Sequence, residues 1–558
     1  MTMIPWVRTY RHLGRYREII GILLKYGIDN LMEQLGLRDV FSFPRFRRVK
    51  APELRLSAPE RVRMALEELG PTFIKLGQIM STRPDLIPPA YIRELAKLQD
   101  TVPPSPWEAI QEVVEGELGA SLEKIFAKFN PEPIAAASLA QVHEATLYSG
   151  DEVVVKIQRP NIEKIIEEDL DILAELAQLA SRTSLGEIYD LEEIVDEFAF
   201  TLRNELNYIR EGRNADRFRE NFAGEKFLYI PRIYWDYTTP RVLVLERISG
   251  IKIDDIEAID AAGLDRHLIA LNAARIIIKE VLEDGFFHAD PHPGNFFVMD
   301  EGAIGAMDFG MVGHLTRQDR ENLIRLYIFS VRMDAEGIVD QLLTIGAARY
   351  GIDRKALARD ISRLLSKYYN VPLKYIRARE VMEEITPVVF RHKLRLPSQY
   401  WLLGKTLAMM EGIGLKLDPD FDIFAVSAPY VRRFMWQMVS PRTWGDRALK
   451  GLLEFGDLLT LLPRHLPTLV EQVERGQLGF NISLKEMGEL VRSFQFGTNR
   501  LALSVLLAAF IIASALLIAA WPSIGQFNWG IWLLVAAFVL SAILGFWLLV
   551  SILLSLRH

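Results

Sequence analysis

The 558-residue sequence contains no cysteine. Disulfides, thiolate nucleophiles, iron-sulfur clusters and the usual zinc ribbons are excluded together, so any metal must be held by oxygen or imidazole. A surplus of one charge is also missing: 65 Lys and Arg stand against 72 Asp and Glu. With this mildly acidic balance, nucleic acid is a poor expectation. The first twenty residues, MTMIPWVRTYRHLGRYREII, lack the short apolar core followed by small residues that a secretory signal needs. No repeat of fixed period and no low-complexity tract stands out.

What the sequence does hold begins with length and two long apolar runs. At 558 residues it exceeds a single core, and about two to four compact units are expected. Residues 501–521 and 529–556 contain no charged side chain. Each is long enough to cross the ~30 Å hydrocarbon core of a bilayer, which predicts a transmembrane hairpin joined through 522–528. A pair of buried core helices is the alternative, but such helices seldom stay uncharged over this length. Arg500 precedes the first run and Arg557 follows the second. By the positive-inside rule both ends, and the long body before them, face the cytoplasm, where ATP is available. In a bacterium the anchor would sit in the inner or plasma membrane. At the other end, residues 1–50 carry ten Lys or Arg against four acids, with Ile19, Ile20, Leu23 and Leu24 in an apolar recurrence. Such a segment suits an anionic membrane surface, as it suits an ordinary solvated amphipathic helix.

Between residues 50 and 500 the pattern is mostly helical, with a strand-rich island from about 133 to 245. QVHEATL and EVVVKI are β-prone runs joined by Ser149-Gly150-Asp151, and this turn chemistry predicts a hairpin. A further run, RVLVLE at 241–246, ends near Ser249-Gly250. Helical periodicity takes over there, which places a hinge between a small lobe and a helical lobe.

The sharpest chemical pattern runs from Phe286-Phe287-His288-Ala289-Asp290-Pro291-His292-Pro293-Gly294-Asn295 to Asp308-Phe309-Gly310. In protein kinases a catalytic-loop Asp orients or deprotonates the attacking group, an Asn five residues later holds a metal ion, and a DFG Asp holds magnesium that bridges the phosphates. Asp290, Asn295 and Asp308 fit that order. Phe296, Phe297 and Val298, followed by Ala306 and Met307, would seat both loops on a small hairpin. A competing reading joins His288, Asp290 and His292 as a facial triad for a transition metal. It leaves Gly294, Asn295 and the DFG idle, and His288 is better read as a structural anchor.

Lys156 closes the β-branched run Val153-Val154-Val155. A lysine in that place matches the one that reaches the nucleotide α- and β-phosphates, although a strand-end lysine is usually just solvated. The helical stretch EFAFTLRNELNYIREGRN offers Glu205 and Glu211 as partners. On one helix they would lie about 120° apart, too far round for one lysine to claim both. The second lysine is sought in Gly70-Pro71-Thr72-Phe73-Ile74-Lys75-Leu76-Gly77-Gln78. Pro71 suits a helix start, Lys75 and Gln78 share a face, and Gly77 permits close backbone approach. Alone, that segment reads as an ordinary helix.

The Gly-rich loop of ordinary kinases is absent. In its place, Ile134-Ala135-Ala136-Ala137-Ser138-Leu139-Ala140-Gln141-Val142 stands just before the hairpin. Alanine still lets backbone approach phosphate but restricts the positive-φ conformations that glycine allows, so a nucleotide should be held differently. A small-residue helix contact is the plainer reading of the same run. Ala289 replaces the usual Arg before Asp290, and no long activation segment or APE signature follows Gly310. A peptide-docking platform is doubtful.

Taken together, KLGQ at 75–78, AAAS at 135–138, VVVK at 153–156, ELNYIRE at 205–211, HADPHPGN at 288–295 and DFG at 308–310 resemble the UbiB family of atypical kinase-like proteins. The resemblance covers roughly residues 50–430. It implies an α+β, protein-kinase-like two-lobed fold, mostly helical, with a helical N-terminal extension and a C-terminal transmembrane helical hairpin. Segments are expected at 1–50 (basic, amphipathic), 51–130 (extension), 131–250 (N-lobe), 251–440 (C-lobe), 441–498 (helical linker) and 499–558 (hairpin). It implies Mg2+ and ATP as cofactors, with Lys75, Lys156 and Asp290 catalytic, Asn295 and Asp308 on the metal, and Glu205, Glu211 and residues 134–142 around the nucleotide. Lys75 would stand near Glu205 and Lys156 would pair with Glu211. The implied partners are a prenyl-quinone precursor or other lipid, a membrane and enzymes of quinone synthesis. The activity would be ATP hydrolysis or phosphoryl transfer to a lipid or small molecule, or else nucleotide-dependent scaffolding. One departure stands out: Asn207 occupies a place where the family commonly has Asp.

Overall fold

Helix signals and apolar periodicity in the first hundred residues produce short helices, seen in a computed structural model that describes residues 12–28, 56–83, 86–98, 102–183, 190–347, 352–372, 375–439 and 536. The chain divides into two compact units, Met1–Thr443 and Trp444–His558; only the first is covered by these residues beyond Ala536. The expected spans at 501–521 and 529–556, apart from Ala536, and the linker at 441–498 lie outside the described residues. Among the described residues no helix is long and apolar enough to cross a membrane.

Helix α1 (Leu13–Lys25) lays Tyr16, Ile19 and Ile22, with Tyr26 just beyond it, against α2 (Ala58–Leu69), α3 (Pro71–Met80) and Ile172. Arg15 Nε lies 2.8 Å from the buried carboxylate of Asp169 and so staples α1 in place. The membrane alternative for the amino-terminal segment is therefore corrected for these residues: protein covers this apolar face. A capping box opens α2, in which Ser57 and Glu60 exchange hydrogen bonds. Gly70, at φ 98°, then breaks the helix, and Pro71 restarts the chain as α3. A short helix α4 (Pro89–Leu95) completes the extension.

The strand-rich island is an antiparallel sheet. Strands β1 (Phe126–Phe129), β3 (Ala140–Leu147), β4 (Glu152–Gln158) and β6 (Val242–Glu246) lie in that order, and β2 (Ala135–Ala136) pairs with β3. The expected hairpin is β3–β4, with Val142 opposite Lys156. Alternation along β4 explains why both faces of the sheet are covered. Val153 and Val155 meet Ile110, Val113 and Val114 of α5 (Trp107–Leu118). Val154 meets the cluster that holds Tyr208, Ala215 and Phe218.

Helix α6 (Ile162–Ala180) and α7 (Leu191–Glu205) pack beside this sheet. The single helix assumed for residues 205 and 211 is corrected: α7 ends at Glu205 and α8 (Tyr208–Asn221) starts afresh. Asn207 makes the break, because its side-chain oxygen accepts the Ile209 N–H at 3.1 Å and caps α8.

Beyond the short strand β5 (Leu228–Tyr229) and β6 comes the helical lobe. Its sequence is β7 (Ile251–Lys252), α9 (Ile256–Ala261), α10 (Arg266–Ile278), β8 (Phe286–His288), β9 (Phe296–Val298), β10 (Ile304–Ala306) and β11 (Val312–His314). Helix α10 is apolar on nearly every side and sits at the centre. A π-turn, Lys279–Asp284, widens its end, and Gly285 then swings the chain into β8. Gly285 has φ +63°, and a Cβ there would lie 2.4 Å from the Leu315 carbonyl oxygen. The remaining helices are α11 (Arg317–Val331), α12 (Ala335–Thr344), α13 (Arg354–Lys367), α14 (Ala378–Arg391), α15 (Ser398–Leu417) and α16 (Ile423–Val439). Leu403, Met410 and Ile413 of α15 cover α10. The α11 helix opens at Arg317, so only six residues separate it from Gly310.

Candidate functional site

Two lysine–glutamate pairs stand at the junction of sheet, extension and helical lobe. Lys156, delivered by β4, places Nζ 2.8 and 3.0 Å from the two Glu211 oxygens and 3.4 Å from Asp308 Oδ2. Lys75, delivered by α3, lies 3.2 Å from Glu205 Oε2. The break at Asn207 lets the two glutamates, carried by different helices, face different lysines. Gly77 lets α3 pack closely on α2 and Leu98: a Cβ there would lie 2.3 Å from Leu98 Cδ1 and 2.9 Å from Leu66 Cδ1. On the same helix, Gln78 Nε2 donates to the Leu98 carbonyl at 3.3 Å.

The charges interact strongly because most are enclosed. Burial alone would lower the Lys156 ammonium, but Asp308 and Glu211 outweigh it and raise it above the usual lysine range. Burial lifts Glu211 to about 7 despite Lys156. For Asp308, desolvation pushes upward, and Lys156 together with the Gly310 N–H more than offsets it, to about 2. Its side chain is 48% exposed to the cleft, so that carboxylate stays available to a ligand. Asp308 sits at φ +61°, a conformation Asp tolerates through a local bond, and here Oδ1 accepts the Gly310 N–H at 3.2 Å. Tyr208 Oη and Glu205 Oε1 are buried and have no hydrogen-bond partner among the described residues. Buried polar atoms of this kind need water or a bound group.

The catalytic-loop candidates rest on His288. Asp290 N–H donates to its Nδ1 at 3.2 Å, so the ring proton lies on Nε2, which faces the Met307 carbonyl at 3.4 Å. One histidine thereby ties the loop of Asp290 to the residue before Asp308, and burial holds it neutral. The backbone N–H of His288 donates to Glu280 Oε2 at 3.1 Å, and burial raises that carboxyl to about 8. Asn295 Nδ2 donates to the Asp290 carbonyl at 3.2 Å, which commits the nitrogen end and turns the amide oxygen to other use. Strands β9 and β10, paired through Phe296 and Ala306, carry Asn295 and Asp308 on adjoining ends, as their apolar residues predicted.

His288 and His292 do not suit the facial-triad alternative. Both His288 nitrogens face the chain, and His292 Nδ1 accepts the Gly294 N–H at 3.1 Å. Among the described residues no three His, Asp or Glu gather as a metal cluster. Magnesium needs none, since it takes one or two protein oxygens and completes its shell with phosphate and water. One carboxylate from Asp308 and one amide oxygen from Asn295 are a donor set of that kind.

The alanine loop is a tight turn. Ile134 N–H donates to the Val142 carbonyl and Ala137 N–H to the Ala140 carbonyl, each at 2.8 Å. Ser138, Leu139, Ala140 and Gln141 turn inward, whereas Ile134 and Ala135 are exposed. The Leu139 side chain packs against α6 and α7, and Gln141 accepts the Ser105 N–H. The part of the turn open to a ligand is thus at Ile134 and Ala135.

Two residues not anticipated from sequence complete the arrangement. Arg159 Nε donates to the Ala137 carbonyl at 2.7 Å and pins the alanine turn. Lys405 of α15 places Nζ 2.9 Å from Asp290 Oδ1. The only available signals were an Arg just past a strand and a Lys among the apolar residues of the first half of α15.

Comparison with known proteins bears on the family. A model of the ABC1 atypical kinase-like domain matches residues 97–342. The UbiB helical domain matches 361–422, and the ABC1/UbiB kinase-like C-terminal domain matches 485–554. A "Probable protein kinase UbiB" of Pseudomonas aeruginosa is 38% identical over 77% of this chain and 82% of its own length. The protein of the same name from Cellvibrio japonicus is 34% identical over 92% and 93%, and an uncharacterized protein of Synechocystis is 36% identical over 84% and 81%. With a kinase-like domain and relatives aligned over most of their length, the chain belongs to the UbiB family of atypical kinase-like proteins.

Proposed function

We propose that this chain binds Mg-ATP between its sheet and its helical lobe and cleaves the terminal phosphoryl bond, in support of ubiquinone or other prenyl-quinone synthesis at a membrane. The observation that carries the reading is the convergence of Lys156 on Glu211 and Asp308, beside an Asp290–Asn295 loop tied to Asp308 through His288. Lys156 would hold the α- and β-phosphates, oriented by Glu211. Bound magnesium, held by Asn295 and Asp308, supplies neutralisation of the charge that develops on the transferring group. In hydrolysis, water oxygen bonds to the terminal phosphorus as the bond to the ADP oxygen breaks, and Asp290 takes the water proton. In transfer, a lipid or small-molecule hydroxyl replaces water.

Peptide substrates fit poorly. The six-residue path from Gly310 to α11 leaves no room for an activation segment, and Lys75 of α3 occupies the cleft beside Glu205. The apolar runs at 501–521 and 529–556 favour a membrane anchor and a lipid-borne acceptor.

The test is ATP turnover by the full chain in detergent or liposomes, with a panel of prenylphenols, for wild type, Asp290→Asn and Asp308→Asn. Turnover should fall at least about 100-fold in each variant. Equal rates in all three would sink the enzyme reading. Nucleotide binding without turnover would instead favour a scaffold that organises membrane-bound biosynthetic enzymes.

A further inference from the structure

The loop from Asp290 to Asn295 reads Asp-Pro-His-Pro-Gly-Asn and contains no Lys or Arg. A phosphoryl group passing the Asp290 carboxylate brings two negative groups together, and they repel unless a cation stands beside them. Lys156 is engaged elsewhere, with Glu211 and Asp308. The cation at Asp290 comes instead from α15, outside the segment that matches the kinase-like domain: Lys405 Nζ is 2.9 Å from Oδ1.

Its placement is fixed by its neighbours. Thr406, fully buried, holds its hydroxyl 3.4 Å from the carbonyl oxygens of both His288 and Ala289. Gly404 lets α15 close on α14, where a Cβ would lie 2.6 Å from Met382 Cε. The α15 backbone is thus set against the catalytic loop, and Lys405 emerges beside Asp290. The Lys405 and Asp290 side chains are 34% and 38% exposed, so the ammonium can engage a ligand oxygen without leaving a buried acid unpaired.

We infer that Lys405 is a phosphate-binding residue of this site, one that orients Asp290 and takes an oxygen of the terminal phosphoryl group. The inference rests on the nucleotide reading above and goes beyond it by completing the site from the helical domain.

The test compares binding of a non-hydrolysable Mg-ATP analogue and of Mg-ADP to the full chain in detergent. Wild type, Lys405→Met, Lys405→Arg and Asp308→Asn are measured, with thermal melting as the folding control. Lys405→Met should weaken the ATP analogue by about tenfold or more and ADP by less than about twofold, because only the former carries the terminal group. Lys405→Arg should regain most of the lost preference. Equal weakening of both nucleotides, or wild-type preference in Lys405→Met, overturns the inference while Asp308→Asn still impairs magnesium-dependent binding. Failure of wild type to bind either nucleotide, or indifference to Asp308→Asn, overturns the nucleotide reading and this inference with it.

Discussion

Glu280 offers the most quantitative test of how the loop at Asp290 is supported. It lies on the π-turn at the end of α10, is 3% exposed, and accepts the His288 N–H at 3.1 Å. Burial raises its carboxyl from 4.5 to about 8. At about 1.4 kcal/mol per pH unit, that gap is worth on the order of 5 kcal/mol, an upper value because local relaxation absorbs part of it. The sign follows from which state keeps the proton. Below pH 4.5 folded and unfolded chains are both protonated at this position, and the contribution is fully present. As pH rises toward about 8 the unfolded chain releases the proton while the fold retains it, so stability falls; above about 8 the loss is complete. Glu280→Gln keeps an acceptor for His288 and cannot ionise. It should therefore melt with wild type at pH 4.5 and above wild type at pH 8.5, by roughly 2–5 kcal/mol in denaturant unfolding. The assay is tryptophan fluorescence of the full chain in detergent across that pH range. A difference that stays constant with pH, or a variant less stable than wild type at pH 8.5, would refute the account of Glu280 as a buried acid held neutral.

Three further outcomes are expected. Lys156→Met should lower Mg-ATP affinity at least about tenfold in equilibrium binding. Its folding cost should stay near 1–3 kcal/mol, because Glu211, already raised to about 7, can take up a proton in place of the lost cation. Gly285→Ala should destabilise by roughly 2–4 kcal/mol in denaturant unfolding, since a positive φ and a Cβ 2.4 Å from a backbone oxygen both oppose the side chain. Asn207→Asp should change stability by less than about 0.5 kcal/mol, because either residue caps α8, whereas Asn207→Ala should cost about 1 kcal/mol by thermal melting.

The site motifs were legible in sequence because each is local. The spacing of Asp290, Asn295 and Asp308 is set by one loop and one hairpin, and the apolar residues between them mark the strands. What sequence hid depended on elements far apart in the chain. Lys405 meets Asp290 across 115 positions, and nothing in a largely apolar helix says which wall of a cleft a given lysine will face. The break after Glu205 was hidden because Asn207 caps a helix by a side-chain bond that composition does not reveal. The apolar stripe of α1 reads the same whether lipid or protein covers it; Asp169, buried and paired with Arg15, decided for protein.

Lys75 and Lys405 also bear on what counts as the functional unit. Lys156, Glu205, Glu211, Asp290, Asn295 and Asp308 all fall within the matched kinase-like segment at 97–342. The lysines that face Glu205 and Asp290 do not: one comes from α3 before that segment and the other from α15 after it. Without α3, the Glu205 carboxylate, 9% exposed, would lose its cation while one of its oxygens already finds no partner among the described residues. Without α15, the cover that Leu403, Met410 and Ile413 give to α10 would be lost along with Lys405. An unpaired buried acid and an uncovered apolar helix each cost several kcal/mol, comparable to the whole stability of a domain. The extension and the helical domain therefore both line the candidate site and are parts of the same fold.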